Sequence, residues 1–246
     1  MTAIHIAAHE LQRLLRSPLA WILFATGQLL LAIFYFVLLS HYLKAADLLA
    51  ARGLTQIVGV GILQLAGLLV ILLVPFLTMR LFSDERRNGT IRLLFSSPVT
   101  LTEMVIGKYL GTLLYLYGMV LLFALLPLSL AFGSSPDLGQ LAAGLLGLLL
   151  LVSSCTAIGL FISTLSAQPV SAAVMSFGIL FLLWILEIAG LEGGELLTSL
   201  FAYLSLSHHY EVMLSGICSS VDVTYYLLLT LLSLILAVWR LDLLRS

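Results

Sequence analysis

The chain has 246 residues, of which 61% are hydrophobic and only 9% charged, with a formal net charge of −1. Its mean hydropathy of +1.16 excludes a soluble globular domain and predicts an integral membrane protein. A spanning helix needs about 20 apolar residues, so several runs of that length leave little chain for a soluble domain. No basic run is long enough to follow a nucleic-acid backbone. The composition therefore predicts one all-α, polytopic membrane domain that does not bind nucleic acid.

The N-terminal segment, residues 1–18, has apolar residues at helical spacing and polar residues on the other faces. This pattern predicts a short amphipathic helix in the membrane interface, although a plain cytosolic lead-in is the simpler alternative. The apolar run that follows is too long for a signal peptide and lacks a small-residue cleavage site. We therefore expect the first span to be retained.

Six apolar runs predict transmembrane helices. Pro75 falls late in the second span and is expected to bend it. The Thr-x-x-Glu spacing of Thr100 and Glu103 predicts a capping box at the start of the third span. Residues 163–169 are the polar break between the fourth and fifth spans, and residues 187–222 predict short interfacial or re-entrant helices before the last one. The predicted spans are 19–43, 57–81, 101–131, 138–162, 170–186 and 223–239.

The basic residues fall mainly on one side of this predicted topology. Six spans place both termini on the same side, together with the connection between the second and third spans. Of the lysines and arginines, only Lys44 and Arg52 fall on the opposite side. The positive-inside rule therefore predicts cytoplasmic termini and a cytoplasmic connection.

That connection carries both signs of charge and is the most polar part of the chain. After Gly89, the residues Ile91, Leu94 and Phe95 recur at i, i+3 and i+4, which predicts a short helix with an apolar face. The alternative is a solvated loop, but a stiff helical hairpin joined to two spans would suit the docking of a soluble partner. The candidate docking residues, within a coupling region at 83–99, are Asp84, Glu85, Arg86, Arg87, Gly89, Thr90, Ile91, Arg92, Leu94 and Phe95. The helix cap and third-span start comprise Thr100, Glu103, Gly107 and Lys108, and the hinges are Pro75 and Pro98.

Several kinds of chemistry are disfavoured. No G-x-x-x-x-G-K-[ST] phosphate loop occurs, so we do not expect the chain to hydrolyse ATP by itself. The interiors of the predicted spans contain no Asp, Glu, Lys, Arg or His, which argues against an ion-coupled carrier. We expect no catalytic residue and no cofactor bound by the chain. The weak metal candidates are His208, His209 and Glu211, with Cys218 nearby, but adjacent histidines cannot share one face of a helix.

Residues 75–111, PFLTMRLFSDERRNGTIRLLFSSPVTLTEMVIGKYLG, resemble the signature of ABC-2 type permeases, the membrane subunits of one class of ATP-binding-cassette exporters. The shared pattern joins a Pro-containing second span to a Glu-Arg-Arg-x-Gly-Thr turn, a short coupling helix, a Ser-Pro pair and a Glu-x-x-x-Gly-Lys start to the third span. Residues 16–20 and 209–225 resemble the gliding-motility branch of this family, with the copper-maturation permeases of nitrous-oxide reductase as relatives. Residues 163–169 depart from the pattern, because a basic residue or Asn is expected after Thr164-Leu165. The matching residues are Glu85, Arg86, Arg87, Gly89, Thr90, Ser97, Pro98, Glu103, Gly107 and Lys108.

The resemblance implies a dimer of six-span subunits in a bacterial inner membrane, formed with a second copy or a similar permease. Each subunit would bind a separate ABC ATPase, which carries ATP and Mg, through the coupling helix. The apolar face of that helix would enter a groove on the ATPase, and Arg86, Arg87 and Arg92 would pair with its acidic rim. The implied function is to couple ATP hydrolysis to export or conformational work. The alternative is a mechanotransmitting or scaffold subunit that drives a periplasmic auxiliary protein without moving a substrate.

Overall fold

A computed structural model describes residues 2–44, 53–90, 99–132, 136–190 and 195–245. Within these ranges the regular elements are helices, and none is a strand. Six helical segments there are long and apolar enough to cross a membrane. The predicted all-α, polytopic architecture is therefore confirmed.

The helices follow one another with short connections. The first is α1 (Thr2–Leu15) and the six spans are α2, α3, α5, α6, α7 and α10. A π-helical turn, Thr55–Gly59, precedes α3, and a 3-10 turn, Ser129–Phe132, follows α5. The remaining bounds are α2 (Pro18–Lys44), α3 (Val60–Thr78), α4 (Ser83–Arg87), α5 (Leu101–Leu128), α6 (Leu138–Leu165), α7 (Pro169–Gly190), α8 (Glu195–Leu204), α9 (Leu206–Leu214) and α10 (Ser220–Arg245).

The centre of the bundle is α6, the most deeply buried of the described spans. Its residues Leu148 and Leu151 are fully enclosed by one continuous apolar core to which the other spans contribute. By contrast, α2, α7 and α10 keep wide apolar faces exposed. These faces are suited to contact with lipid, whereas α6 is buried by protein along most of its length.

Helix α1 packs closely against α5 because two glycines of α5 leave room for its backbone. A Cβ on Gly107 would lie 2.8 Å from Ile6 Cβ, and one on Gly111 would lie 2.6 Å from the carbonyl oxygen of Ala7. The small-x-x-x-small spacing of this pair thus serves packing within the chain. Glu10 is buried in the same interface, although its charge would ordinarily favour the solvent side.

The bundle has two polar ends. The α4 end carries α1, α4, the start of α5 and the last turns of α6 and α10. The opposite end, here the cap end, carries α8 and α9, which correspond to the short helices predicted before the last span.

At the cap end, α9 is wedged between α3 and α6. Tyr210 is fully buried and donates a hydrogen bond of 2.6 Å to the carbonyl oxygen of Leu63. A Cβ on Gly67 would lie 2.5 Å from the Tyr210 ring, and one on Gly147 would lie 3.2 Å from it. Glycines on two spans therefore create the space that this tyrosine occupies.

Candidate functional site

The candidate site lies at the α4 end, where the chain leaves α3 and turns back toward α5. Pro75 is inside α3, and the helix ends three residues later at Thr78. After four residues in a turn, α4 begins at Ser83, whose hydroxyl donates to the carbonyl oxygen of Met79. Helix α4 ends before Gly89, whose φ of +70° lies in the left-handed region that favours glycine. Gly89 therefore lets the chain reverse directly after one short helical turn.

Lys108 joins α5 to α4 inside the protein. It is only 5% exposed, and its ammonium donates to the carboxylate of Glu85 and to the carbonyl oxygen of Leu81. The ammonium also lies 4.6 Å from the centre of the Phe82 ring, within the range of a cation–π interaction. Removing one partner of a buried ion pair costs several kcal/mol of stability, so this contact holds α4 and α5 in a fixed relation.

Arg86 joins α4 to the end of α6. Its Nη1 donates a hydrogen bond of 2.6 Å to the carbonyl oxygen of Thr164, in the last turn of α6. The final carbonyls of a helix have no partner within the helix and carry partial negative charge, so a guanidinium is a favourable partner there. The described contact of Arg86 is thus internal.

The exposed surface of the site is a rim formed by Arg87, Asn88, Gly89 and Thr90. The Thr90 hydroxyl is 3.3 Å from the carbonyl oxygen of Glu85 and donates to it, which ties the rim back to α4. Arg87 is therefore the exposed member of the Arg86–Arg87 pair. The predicted docking and hinge residues Ile91, Arg92, Leu94, Phe95 and Pro98 lie outside the described residues.

Asp84 of α4 is half-buried. It lines a small cavity of about 160 Å³ together with Arg13 and Arg80. Both signs of charge therefore surround this cavity, between α1 and the turn after α3.

The start of α5 is fixed by the capping box that the sequence predicts. The Glu103 amide donates to the Thr100 hydroxyl at 3.3 Å, and the Thr100 amide donates to the Glu103 carboxylate at 3.2 Å. These reciprocal bonds satisfy two amides that a helix start otherwise leaves without partners. The capping box is confirmed, and it defines where the chain begins its next span.

The two adjacent histidines at the cap end face different carboxylates. His208 Nδ1 is 3.0 Å from Glu187 Oε1, whereas His209 Nδ1 is 2.6 Å from Asp222 Oδ1. His209 Nε2 is also 2.9 Å from the carbonyl oxygen of Tyr203. Among the described residues, no three His, Cys, Asp or Glu side chains are grouped so that they could hold a metal ion. The histidines thus connect helices.

The other two members of the weak metal candidate are Glu211, which lies near Glu187 and His208, and Cys218. Burial raises the pKa of Glu211 above its usual range, and the nearby Glu187 carboxylate adds to the rise. Cys218 is an exposed free thiol, while the other cysteine, Cys155, is buried in α6. The two cysteines are not joined in a disulfide.

Sequence reasoning missed the inward direction of Lys108 and Glu85. Met104 and Thr112, four residues on either side of Lys108, are both buried, so Lys108 lies on the inward face of α5. The pairing of His209 with Asp222 was also missed, since these residues are 13 positions apart and lie on different helices. The Arg86–Thr164 contact also depends on the tertiary arrangement.

Comparison with protein families gives one match that spans almost the whole chain. Residues 4–242 match the family described as ABC-2 family transporter protein. No curated protein matches the chain. The narrower resemblance to the gliding-motility branch is not borne out. Because the match includes all six spans and the α4 end, the chain belongs to the ABC-2 family of transporter membrane proteins.

Proposed function

We propose that the chain is the permease subunit of an ABC-2 type transporter and couples ATP hydrolysis by a separate ABC ATPase to export or conformational work. It would lie in a bacterial inner membrane with both termini in the cytoplasm and would act with a second permease. The observation that carries the proposal is the α4 end, where an exposed rim is attached rigidly to two spans. The family supports the permease role in general.

The rim suits docking because it is exposed while α4, which precedes it, is fixed to the rest of the protein. Arg87 and Thr90 face outward, and the next residues, Ile91, Leu94 and Phe95, have the spacing of a short apolar helix face. In this proposal the apolar face enters a groove on the ATPase and Arg87 pairs with its acidic rim. Buried apolar anchors surrounded by charged residues are typical of specific protein interfaces. ATP and Mg would be bound by the ATPase alone.

The contacts of α4 suit transmission of movement. Glu85 is paired with Lys108 of α5, and Arg86 is bonded to Thr164 of α6. A displacement of α4 would therefore act on two spans at once, because charge-assisted hydrogen bonds resist separation more than neutral ones do. A flexible loop would absorb the same displacement.

Docking is tested by placing a carboxylate on the rim and another on the predicted apolar helix face. We expect Arg87→Glu and Leu94→Glu to abolish co-purification of the ATPase, because each places a carboxylate against an acidic or apolar surface. Arg245→Glu is the matched control, since Arg245 is also exposed at the α4 end but lies on α10. Unchanged co-purification and unchanged ATP-dependent activity in both Arg87→Glu and Leu94→Glu would refute the docking proposal.

Transmission is tested separately by Arg86→Gln. This variant removes the charged bond to Thr164 but leaves the exposed rim in place. We expect the ATPase to remain bound while the ATP-driven change in distance between labels on α4 and α6 becomes smaller. An unchanged distance response would remove Arg86 from the coupling route without affecting the docking proposal.

A mechanotransmitting or scaffold role is the second candidate, and the wedged position of α9 favours it. Since Tyr210 contacts both α3 and α6, movement of these spans would also move the cap end. A periplasmic auxiliary protein bound to α8 and α9 would receive that movement. An ATP-driven displacement of α8 in a reconstituted complex without any substrate flux would favour this role, whereas flux without such displacement would exclude it.

A further inference from the structure

One face of α5 has a notch at its middle. Leu114, Gly118 and Leu122 follow at four-residue spacing and are all exposed, so they form one stripe along the helix. A Cβ on Gly118 would meet no heavy atom within 4 Å. The stripe therefore has two leucines with an open gap between them, and it extends over about 12 Å of helix.

The junction between α1 and α2 closes one side of this notch. Leu15 of α1 and Trp21 and Phe24 of α2 line the same cavity as Gly118, which has a volume of about 250 Å³. The Trp21 indole N–H donates a hydrogen bond of 2.7 Å to the carbonyl oxygen of Leu15. This bond fixes the orientation of the indole ring, which forms one side of the cavity. The gap at Gly118 is therefore part of an apolar groove of defined shape.

A polar cavity lies beside the last turns of α1. His9, Gln12, Arg13, Arg16 and Ser17 line this second cavity, which has a volume of about 430 Å³. Arg16 is exposed there and follows Leu15 of the apolar groove directly in the chain. A positive charge therefore lies one residue along the chain from Leu15, which lines the apolar groove.

We propose that the groove and the polar cavity together bind one anionic phospholipid, with an acyl chain at Gly118 and the phosphate at Arg16. Lipid tails are as apolar as leucine, so the groove alone would give shape complementarity but little preference among lipids. Basic residues at the membrane surface supply that preference, at about 1 kcal/mol each. A tryptophan at the headgroup level is typical of such a position. This proposal does not depend on the docking of an ATPase.

Native mass spectrometry of the purified full chain with phosphatidylglycerol and phosphatidylethanolamine tests the proposal. We expect the wild type to prefer phosphatidylglycerol and Arg16→Gln to lose about fivefold of that preference. Gly118→Leu fills the notch and should reduce the binding of both lipids. Because an added Cβ at Gly118 has open space, this variant should keep the fold, and Gly118→Val provides a smaller plug.

Two matched controls come from the chain itself. Gly178 of α7 is also exposed with no heavy atom within 4 Å of an added Cβ, so Gly178→Leu should bind lipid as the wild type does. Arg245→Gln removes an exposed arginine of the α4 end that is remote in sequence from the groove. Wild-type binding in Gly118→Leu, an equal loss in Gly178→Leu, or an unchanged preference in Arg16→Gln would overturn the proposal. Displacement of phosphatidylglycerol by an excess of inorganic phosphate would also overturn it, because it would indicate a simple anion site.

Discussion

Replacement of Lys108 by methionine should destabilise the protein strongly. Methionine keeps much of the apolar stem but removes the ammonium, so the Glu85 carboxylate and the Leu81 carbonyl oxygen lose their shared donor. The side chains of Lys108 and Glu85 are 6% and 20% exposed, so water can replace little of that interaction. Removing one partner of a buried pair costs about 3–5 kcal/mol. For a chain of this length, that corresponds to a decrease in Tm of about 6–20 °C.

Thermal unfolding in detergent of the wild type, Lys108→Met, Glu85→Gln and the double variant measures this pair. Glu85→Gln should cost less, about 1–3 kcal/mol, because Lys108 keeps the Leu81 oxygen and the Phe82 ring. The double variant should be more stable than the sum of the two single losses predicts. Arg87→Met is the control for the loss of an exposed cation and should change little. A decrease of less than about 2 °C in Lys108→Met, or strict additivity of the two single variants, would refute the importance of the pair.

Three further predictions concern the cap end. Gly67→Ala should destabilise the protein by about 1–3 kcal/mol in thermal unfolding, because the added methyl group would lie 2.5 Å from the Tyr210 ring; wild-type stability would contradict the wedge. His209→Leu removes the hydrogen-bond partner of the buried Asp222 carboxylate and should cost about 1–3 kcal/mol in the same measurement; a loss clearly below about 1 kcal/mol would contradict the pairing. Glu211→Gln should raise Tm slightly at pH 7, since burial raises the pKa of Glu211 and so disfavours its ionised form in the folded state. That gain should disappear below pH 4.5, the ordinary pKa of the group, where the carboxyl is protonated in both states; a gain independent of pH would contradict its cause.

The spans were predictable because each depends on a local property of the sequence. A run of about 20 apolar residues satisfies its own backbone hydrogen bonds as a helix, whatever surrounds it. The start of α5 was predictable for the same reason, since the bonds between Thr100 and Glu103 form within one turn. The predicted end of the second span was less accurate. It ran to residue 81, but α3 ends at Thr78 and the chain turns before Ser83.

The direction of the charges was not predictable from the connection alone. Charged residues between two spans ordinarily face water, which favoured an exposed docking surface at every one of them. Instead, Glu85 and Arg86 point to partners 23 and 78 residues away, while Arg87 remains exposed. Only the packing of α5 and α6 beside α4 places a cation and a helix C-terminus within reach. The site therefore has two parts, an inner set that holds α4 and an outer rim that a partner can contact.

In the proposed function, movement at the α4 end would reach the cap end through α6. Arg86 holds α4 against Thr164 at one end of α6, and Gly147 receives Tyr210 of α9 nearer the other end. The two contacts are separated by 17 residues of continuous helix, or about 25 Å. Because α6 is enclosed by a close-packed core, it cannot absorb a displacement by bending locally without creating cavities. If the proposed coupling is right, a displacement of α4 would reach α9 through α6, whether the chain moves a substrate or a partner protein.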